Sequence, residues 1–217
     1  MNQVFIMSIC LLLSGGVSSD LFAGSRSAKE IVKRVQKKYS ELKTLQADFE
    51  QIFVWDLADE TQTVKGKIYV NHGNKYRIDT DTQSIVTDGT TVWTYSKDRD
   101  QVIIDTVAKS EDTLPTNLLF RYSEDYKPIF RGEELLDGRK SYVIYLEPKG
   151  EDGLIQSMTL WVDASSWLTT KVEQIDINEN ISTYIVRNVQ EDIELPPSLF
   201  KFSPTGDMEV VDLRTGE

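Results

Sequence analysis

Few residues of this chain could do chemistry. Its 217 residues hold one histidine, His72, and one cysteine, Cys10. His72 sits in "VNHGN", a polar turn with no second His and no Cys beside it to complete a zinc set. That setting predicts a solvent-exposed turn residue rather than a ligand or an acid/base catalyst. The run from Asp176 to Ile181, "DINENI", begins like a calcium loop. Its sixth position is Ile181, where the bend needs Gly, and its twelfth is Arg187, where the ion needs a bidentate Glu. A hairpin turn is the simpler reading. No Gly-x-Ser-x-Gly elbow and no phosphate-cradling glycine loop is present. Carboxylate pairs such as Glu133/Glu134 lie in polar, turn-rich runs and read as solvated loops; a glycosidase pair would be met in space, not in sequence. The expectation is a protein that is not an enzyme, with no catalytic residue, no metal and no cofactor.

The N-terminal segment reads as a leader. Val4 to Leu13 is an apolar run, followed by "SGGVSSDLFAG". That is the order of a secretory signal peptide, although "MNQ" brings no Lys or Arg. The run is too short to span a bilayer. Residues 1–24 are expected to be removed, with cleavage between Ser19 and Gly24, and 25–217 to form a single domain. Cys10 leaves with the leader, so no thiol chemistry remains. Of 35 acidic and 24 basic residues only Asp20 lies within 1–24, so the remainder carries a formal charge of −10. Such a surface argues against nucleic acid and against anionic headgroups bound by charge.

The elements that would position any site follow from periodicity. "SAKE" from Ser27 is a capping box. Ile31, Val32, Val35, Tyr39 and Leu42 then recur at helical spacing, which predicts an amphipathic helix of about four turns. From Leu45 the period drops to two. Roughly ten or eleven short strands follow, among them "VKGKIYV", "KYRID", a hairpin turning at Asp88-Gly89, and "LFKFS". "DTLPTNLLFRYSEDYKP" interrupts them with Leu118, Leu119, Tyr122 and Tyr126 at helical spacing, closed by Pro128. So many antiparallel strands with one apolar face must stack or curl. Two or three helices are too few to coat an open sheet, but they could plug a curled one. The expected fold is mainly β (α+β): an incomplete, strongly curved antiparallel barrel with those helices as a lid on its concave side.

In this order and spacing, "LKTLQADFEQ", "GKIYVNHGNKYRID", "IVTDGTTVWTYSKDRDQV" and "LFKFSPTGDMEVVD" resemble the periplasmic outer-membrane lipoprotein carrier family, LolA. The resemblance spans nearly all of the chain after the leader. It implies a half-open barrel that binds the acyl chains of lipoproteins in an apolar cavity and shuttles them through the periplasm. The implied partners are acylated lipoproteins, an ABC-type releasing complex in the inner membrane and an acceptor at the outer membrane, with the carrier a monomer.

Carried over by position, the resemblance makes Trp93 and Tyr95, on the strand after the Asp-Gly turn, candidates for the cavity wall. Tyr76 and Ile78 share a strand face and join them, as do Phe49, Ile68 and Val70. The lid candidates are Ile31 and Val35 on the first helix and Leu118, Leu119 and Tyr122 on the second. Taken singly, each large aromatic fits an ordinary core as well as a ligand wall. One departure stands out. Well-known members carry an Arg-Pro pair after the strand corresponding to "KIYV", and the arginine holds the lid shut. Here the place reads His72-Gly73, and a neutral imidazole lacks the guanidinium's five donors. The competing readings are a lipid-binding or lipid-sensing protein on the same bent sheet, and a secreted hydrolase.

Overall fold

A computed structural model describes residues 27–72, 74–107, 126–150 and 153–214. The helix α1 (Ala28–Glu41) starts where the capping box predicts: Ser27 is the N-cap, and its Oγ accepts from the Glu30 N–H at 3.2 Å. Ala28, Ile31 and Val35 are buried along one side, and Lys38 in the last turn suits the negative end of the helix dipole. The helix stops at Leu42, whose backbone turns extended. Lys43 N–H then donates to Asp192 Oδ1 (2.8 Å) and Thr44 Oγ1 to the Ile193 carbonyl (2.6 Å), fixing the entry into the first strand.

Twelve strands follow: β1 Thr44–Trp55, β2 Glu60–Asn71, β3 Lys75–Thr80, β4 Gln83–Asp88, β5 Thr91–Ser96, β6 Gln101–Thr106, β7 Tyr126–Leu136, β8 Arg139–Pro148, β9 Ile155–Asp163, β10 Thr169–Asp176, β11 Ile181–Glu191 and β12 Glu209–Asp212. They form one sheet in the order β12-β6-β5-β4-β3-β2-β1-β11-β10-β9-β8-β7. The outermost strands, β12 and β7, do not meet, so the barrel is open. A twisted sheet this wide curls rather than staying flat. We call the face that carries α1 the inner face.

Three expectations need correction. Among the described residues the count is twelve, not roughly ten or eleven. Two strands were not foreseen, β7 and β12; β12 pairs with β6 in parallel, so the sheet is not wholly antiparallel. "LFKFS" is no strand either: Pro197–Phe200 is a 3-10 helix entered through Pro196 and Pro197, whose fixed φ suits a helical turn and whose missing N–H suits no ladder. Of the two or three helices expected as a lid, α1 is the one α-helix among the described residues. The second lid helix, with Leu118, Leu119 and Tyr122, falls outside them. Tyr126, the last residue of its helical spacing, opens β7 instead. There Tyr126, Pro128 and Phe130 alternate toward one face, and Pro128 is tolerated because β7 is an edge strand.

Strand register assigns every side chain to a face, because residues directly opposite one another point the same way. Leu45, Ala47 and Phe49 of β1 face Val70, Ile68 and Gly66 of β2; Ile68 and Val70 in turn face Ile78 and Tyr76 of β3. This row continues through Val186, Val172, Leu160 and Ile144 on the other half of the sheet. Together with Ala28, Ile31 and Val35 it forms the main core. The outer face carries a ladder of charges at mid-sheet. Lys67 Nζ lies 2.7 Å from Asp48, and Glu50 is held between Lys65 (3.1 Å) and Arg187 (3.0 Å). Over β3 and β4 the outer face is covered instead by the C-terminal segment, whose 3-10 helix packs there with Phe200 buried.

Candidate functional site

The inner face has two unlike halves. At the end where β1 begins and β11 ends, α1 lies against it. Ile31 and Val35, the lid candidates on this helix, are wholly buried. Beneath the helix remains a void of only about 10 Å³, lined by Tyr39, Leu45, Ile68, Leu168, Thr169 and Val186, with Val189. That is roughly one water-sized sphere. Polar contacts hold the helix at its margin. Tyr39 Oη accepts from the Thr169 N–H at 3.2 Å. The Arg34 guanidinium lies 4.7 Å from the Trp167 ring, which stacks on Tyr142, and Lys38 pairs with Glu191. Burial pushes the Tyr39 hydroxyl to a raised pKa, so it remains protonated.

At the opposite end the inner face is apolar and only half covered. β1 continues its alternation from Phe49 through Gln51 and Phe53 to Trp55. The Phe53 and Trp55 rings meet edge to face at 4.3 Å, and Trp55 is 36 % exposed. Val64 of β2 and Tyr184 of β11 stand opposite Gln51, whose Nε2 donates to the Tyr184 hydroxyl at 3.2 Å. Phe49 lies over Gly66, where an added Cβ would come within 2.8 Å of the ring. Three neighbouring hairpin tips extend this wall outward: Leu57 is 93 % exposed, Leu154 72 % and Ile177 51 %. The tips are tied by Asp56 N–H to Asn180 Oδ1 (3.3 Å) and Ile177 N–H to the Leu154 carbonyl (3.0 Å). Such a surface offers dispersion and dehydration, with few directional bonds. It suits alkyl chains.

The seven wall candidates divide. Phe49, Ile68, Val70, Tyr76 and Ile78 share the inner face. Trp93 and Tyr95 do not reach it. Trp93 pairs with Val86, Val86 with Arg77, and Arg77 neighbours Tyr76 in β3, so parity turns Trp93 and Tyr95 outward. There the Tyr95 ring lies 5.4 Å from Phe202, and its hydroxyl donates to Asp100 Oδ1 at 2.8 Å. Tyr95 thereby helps anchor the C-terminal segment. Reading a single strand shows which residues share a face, but not which face is inner. The residues the sequence reading passed over are Phe53, Trp55 and Tyr184. The signal for two of them was present, since "DFEQIFVW" keeps its period of two beyond Phe49.

Two further recesses among the described residues are lined mostly by polar and charged side chains. One of about 530 Å³ on the outer charge ladder is lined by Asp48, Glu50, Lys65, Lys67 and Arg187 among others; one of about 350 Å³ is lined by Gln83, Thr94, Ser96, Asp98, Arg99 and their neighbours. Neither suits an alkyl chain. His72 is exposed, and its N–H reaches Asn71 Oδ1 (2.7 Å) and the Lys43 carbonyl (3.2 Å). The Asp176 turn spends its carboxylate on Asn178 and Asn180. Among the described residues no three His, Cys, Asp or Glu side chains stand close enough to hold a metal ion, and no helix is long and apolar enough to cross a membrane.

Comparison with known proteins agrees with this architecture. An uncharacterized protein of Methanocaldococcus jannaschii is 29 % identical over 94 % of this chain, which spans 59 % of that longer protein. An outer-membrane lipoprotein carrier protein of Haemophilus ducreyi is 27 % identical over 95 % of both chains. The crystal structure of an uncharacterized conserved protein from Thermus thermophilus superposes with a TM-score of 0.60 at 16 % identity, over 86 % of this chain and 99 % of that one. It shares the fold. Residues 40–203 match the family model described as outer membrane lipoprotein carrier protein LolA, and the chain belongs to that family.

Proposed function

We propose that this protein binds the acyl chains of lipoproteins against its inner face and carries them through the periplasm, from the inner to the outer membrane, after loss of a signal peptide. An ABC-type releasing complex would load it and an outer-membrane acceptor would unload it. The reading rests on one observation: the inner wall around Phe49, Phe53, Trp55 and Val64 stays half-exposed at one end, while at the other it is closed by α1. Monomeric soluble proteins seldom leave a contiguous apolar surface open without a use for it.

Magnitudes constrain how the cargo sits. Burial gains about 0.8 kcal/mol per methylene. Three long chains engulfed in full would exceed roughly 30 kcal/mol, beyond the ceiling of about 18–21 kcal/mol for non-covalent binding. A carrier that must also release cargo therefore buries the chains in part. It offsets the gain further with the cost of displacing α1, because the 10 Å³ void beneath that helix admits no chain while it stays docked. The test is occupancy. Express the protein in the periplasm together with a lipoprotein, purify it, and look for acylated cargo by mass spectrometry. Triacylated or diacylated protein at a stoichiometry approaching one is expected. Empty protein beside normal lipoprotein levels would overturn the reading.

A further inference from the structure

Polar side chains on the inner face are matched with partners. Gln51 donates to Tyr184, Tyr39 accepts from the Thr169 N–H, and Thr87 Oγ1 accepts from the Gly89 N–H. Tyr76 is different. It is 2 % exposed and belongs to the main core, facing Val70 on one side and Thr87 on the other. Its Oη is the one buried side-chain nitrogen or oxygen among the described residues that has no hydrogen-bond partner. An unpaired buried hydroxyl is destabilising, and phenylalanine would fill the same space without that penalty. A tyrosine here makes physical sense if the missing partner arrives from outside.

We propose that the Tyr76 hydroxyl donates a hydrogen bond to an ester carbonyl of an acylglycerol group lodged on the inner face. The inference rests on the carrier reading above and adds a chemical specificity to it. The surroundings choose the ligand chemistry. Burial raises the pKa of this phenol, so it stays protonated and can donate. The residues facing it on the neighbouring strands, Val70 and Thr87, carry no charge, and it belongs to the apolar core, so a free carboxylate would be costly to bury there. A neutral ester carbonyl accepts one bond and brings no charge. The same acceptor occurs in the diacylglyceryl group of a lipoprotein and in a phospholipid.

The experiment compares three ligands on the wild-type chain and on Tyr76→Phe. They are a synthetic lipopeptide bearing an S-(dipalmitoylglyceryl)cysteine, its dialkyl ether analogue without ester carbonyls, and dipalmitoylphosphatidylglycerol. Loss of the hydroxyl should weaken the ester lipopeptide about tenfold and leave the ether unchanged. The urea midpoint of Y76F should equal or exceed that of the wild type, since no bond within the protein is lost. Equal weakening of ester and ether, or a lowered urea midpoint, overturns the inference. Tyrosine labelled with ¹³C at Cζ supplies a readout on the unmutated chain: the Tyr76 resonance should shift with the ester and not with the ether, and equal shifts overturn the inference. Tyr76-dependent binding of the phospholipid supports the ester site and makes the bilayer a second source; no phospholipid binding supports it and confines it to lipoproteins. A wild-type chain that binds none of the three refutes the carrier reading itself.

Discussion

Replacing Ile31 with Ala tests whether α1 is a cover or a structural part of the core. Ile31 is wholly buried between α1 and the inner wall, in the cluster that includes Val35, Tyr142, Ile144 and Leu160. Ile→Ala at such a site costs about 2–5 kcal/mol, part of it the cavity left behind. Where that cost falls decides between the two roles. If α1 undocks as a unit while the sheet stays folded, the loss belongs to the docking equilibrium. The open fraction then rises about 30-fold for 2 kcal/mol, until it saturates. Apparent ligand affinity scales with the competent fraction. The variant should therefore bind an environment-sensitive hydrophobic dye, or an acylated peptide, at least tenfold more tightly than the wild type. Amide exchange should accelerate in 28–41 but not in β8 and β9. Titration by fluorescence, read beside urea unfolding, separates the outcomes. A urea midpoint lowered throughout the molecule, with unchanged dye affinity and uniform faster exchange, would refute the cover role and make α1 plain core.

Gly66→Ala should destabilise the fold, because the new Cβ would stand 2.1 Å from the Asp79 carbonyl oxygen and 2.8 Å from Phe49 Cε1; a loss of about 1–3 kcal/mol or more is expected from the urea midpoint. Phe200→Ala should lower the thermal midpoint by an amount equivalent to about 3–5 kcal/mol while leaving dye affinity unchanged, because Phe200 packs on the outer face. Acid should destabilise the protein. Asp163 is almost fully buried; burial alone would raise its pKa, but the Ser165 and Ser166 donors outweigh it and hold the carboxyl below the usual range. Asp48 is held low by Asn188 and Lys67, and Asp176 chiefly by Asn180. A depressed folded pKa means that the unfolded chain binds protons first, so the stabilisation is intact above about pH 4 and is lost as pH falls through the folded values. Urea midpoints between pH 7 and pH 3 should be level and then drop. Salt should erode only the small share from the exposed pair Asp48–Lys67.

Period and capping made the local elements legible. Ser27 caps, Ile31 and Val35 bury, and the Asp88-Gly89 and Asp176 turns fall where the sequence puts them, because each depends on residues within a few positions. What reading along the chain could not supply was the pairing. Trp93 and Tyr95 were visibly on one face of β5, but their face is fixed by two successive registers back to β3, which are nonlocal. β12 shows no pattern of its own, since "EVVD" is four residues long and acquires strand geometry from β6. Tyr126 shows the opposite failure. Its helical spacing was real, and pairing with β8 overrode it.

The division of the sheet's two faces accounts for how one wall can stay greasy without the molecule aggregating. On the outer side, mid-sheet, β1, β2 and β11 present Asp48, Glu50, Lys65, Lys67 and Arg187 in cross-strand contact. Charges in that pattern keep this face wet and oppose its stacking on another apolar face. Toward β6 the same face turns apolar, with Val86, Val102 and Ile104 buried, and the chain must cover it itself. The C-terminal segment does so with Phe200 and Phe202, and then adds β12 beside β6. Tyr95 therefore has a permanent partner within the chain, Phe202. Phe53 and Trp55, on the inner side of a strand that also carries Asp48 and Glu50, meet each other edge to face beside a half-open wall. An aromatic face that its own chain covers is scaffold. One left half-exposed beside a helix that makes room only by leaving is where a visiting alkyl chain gains most.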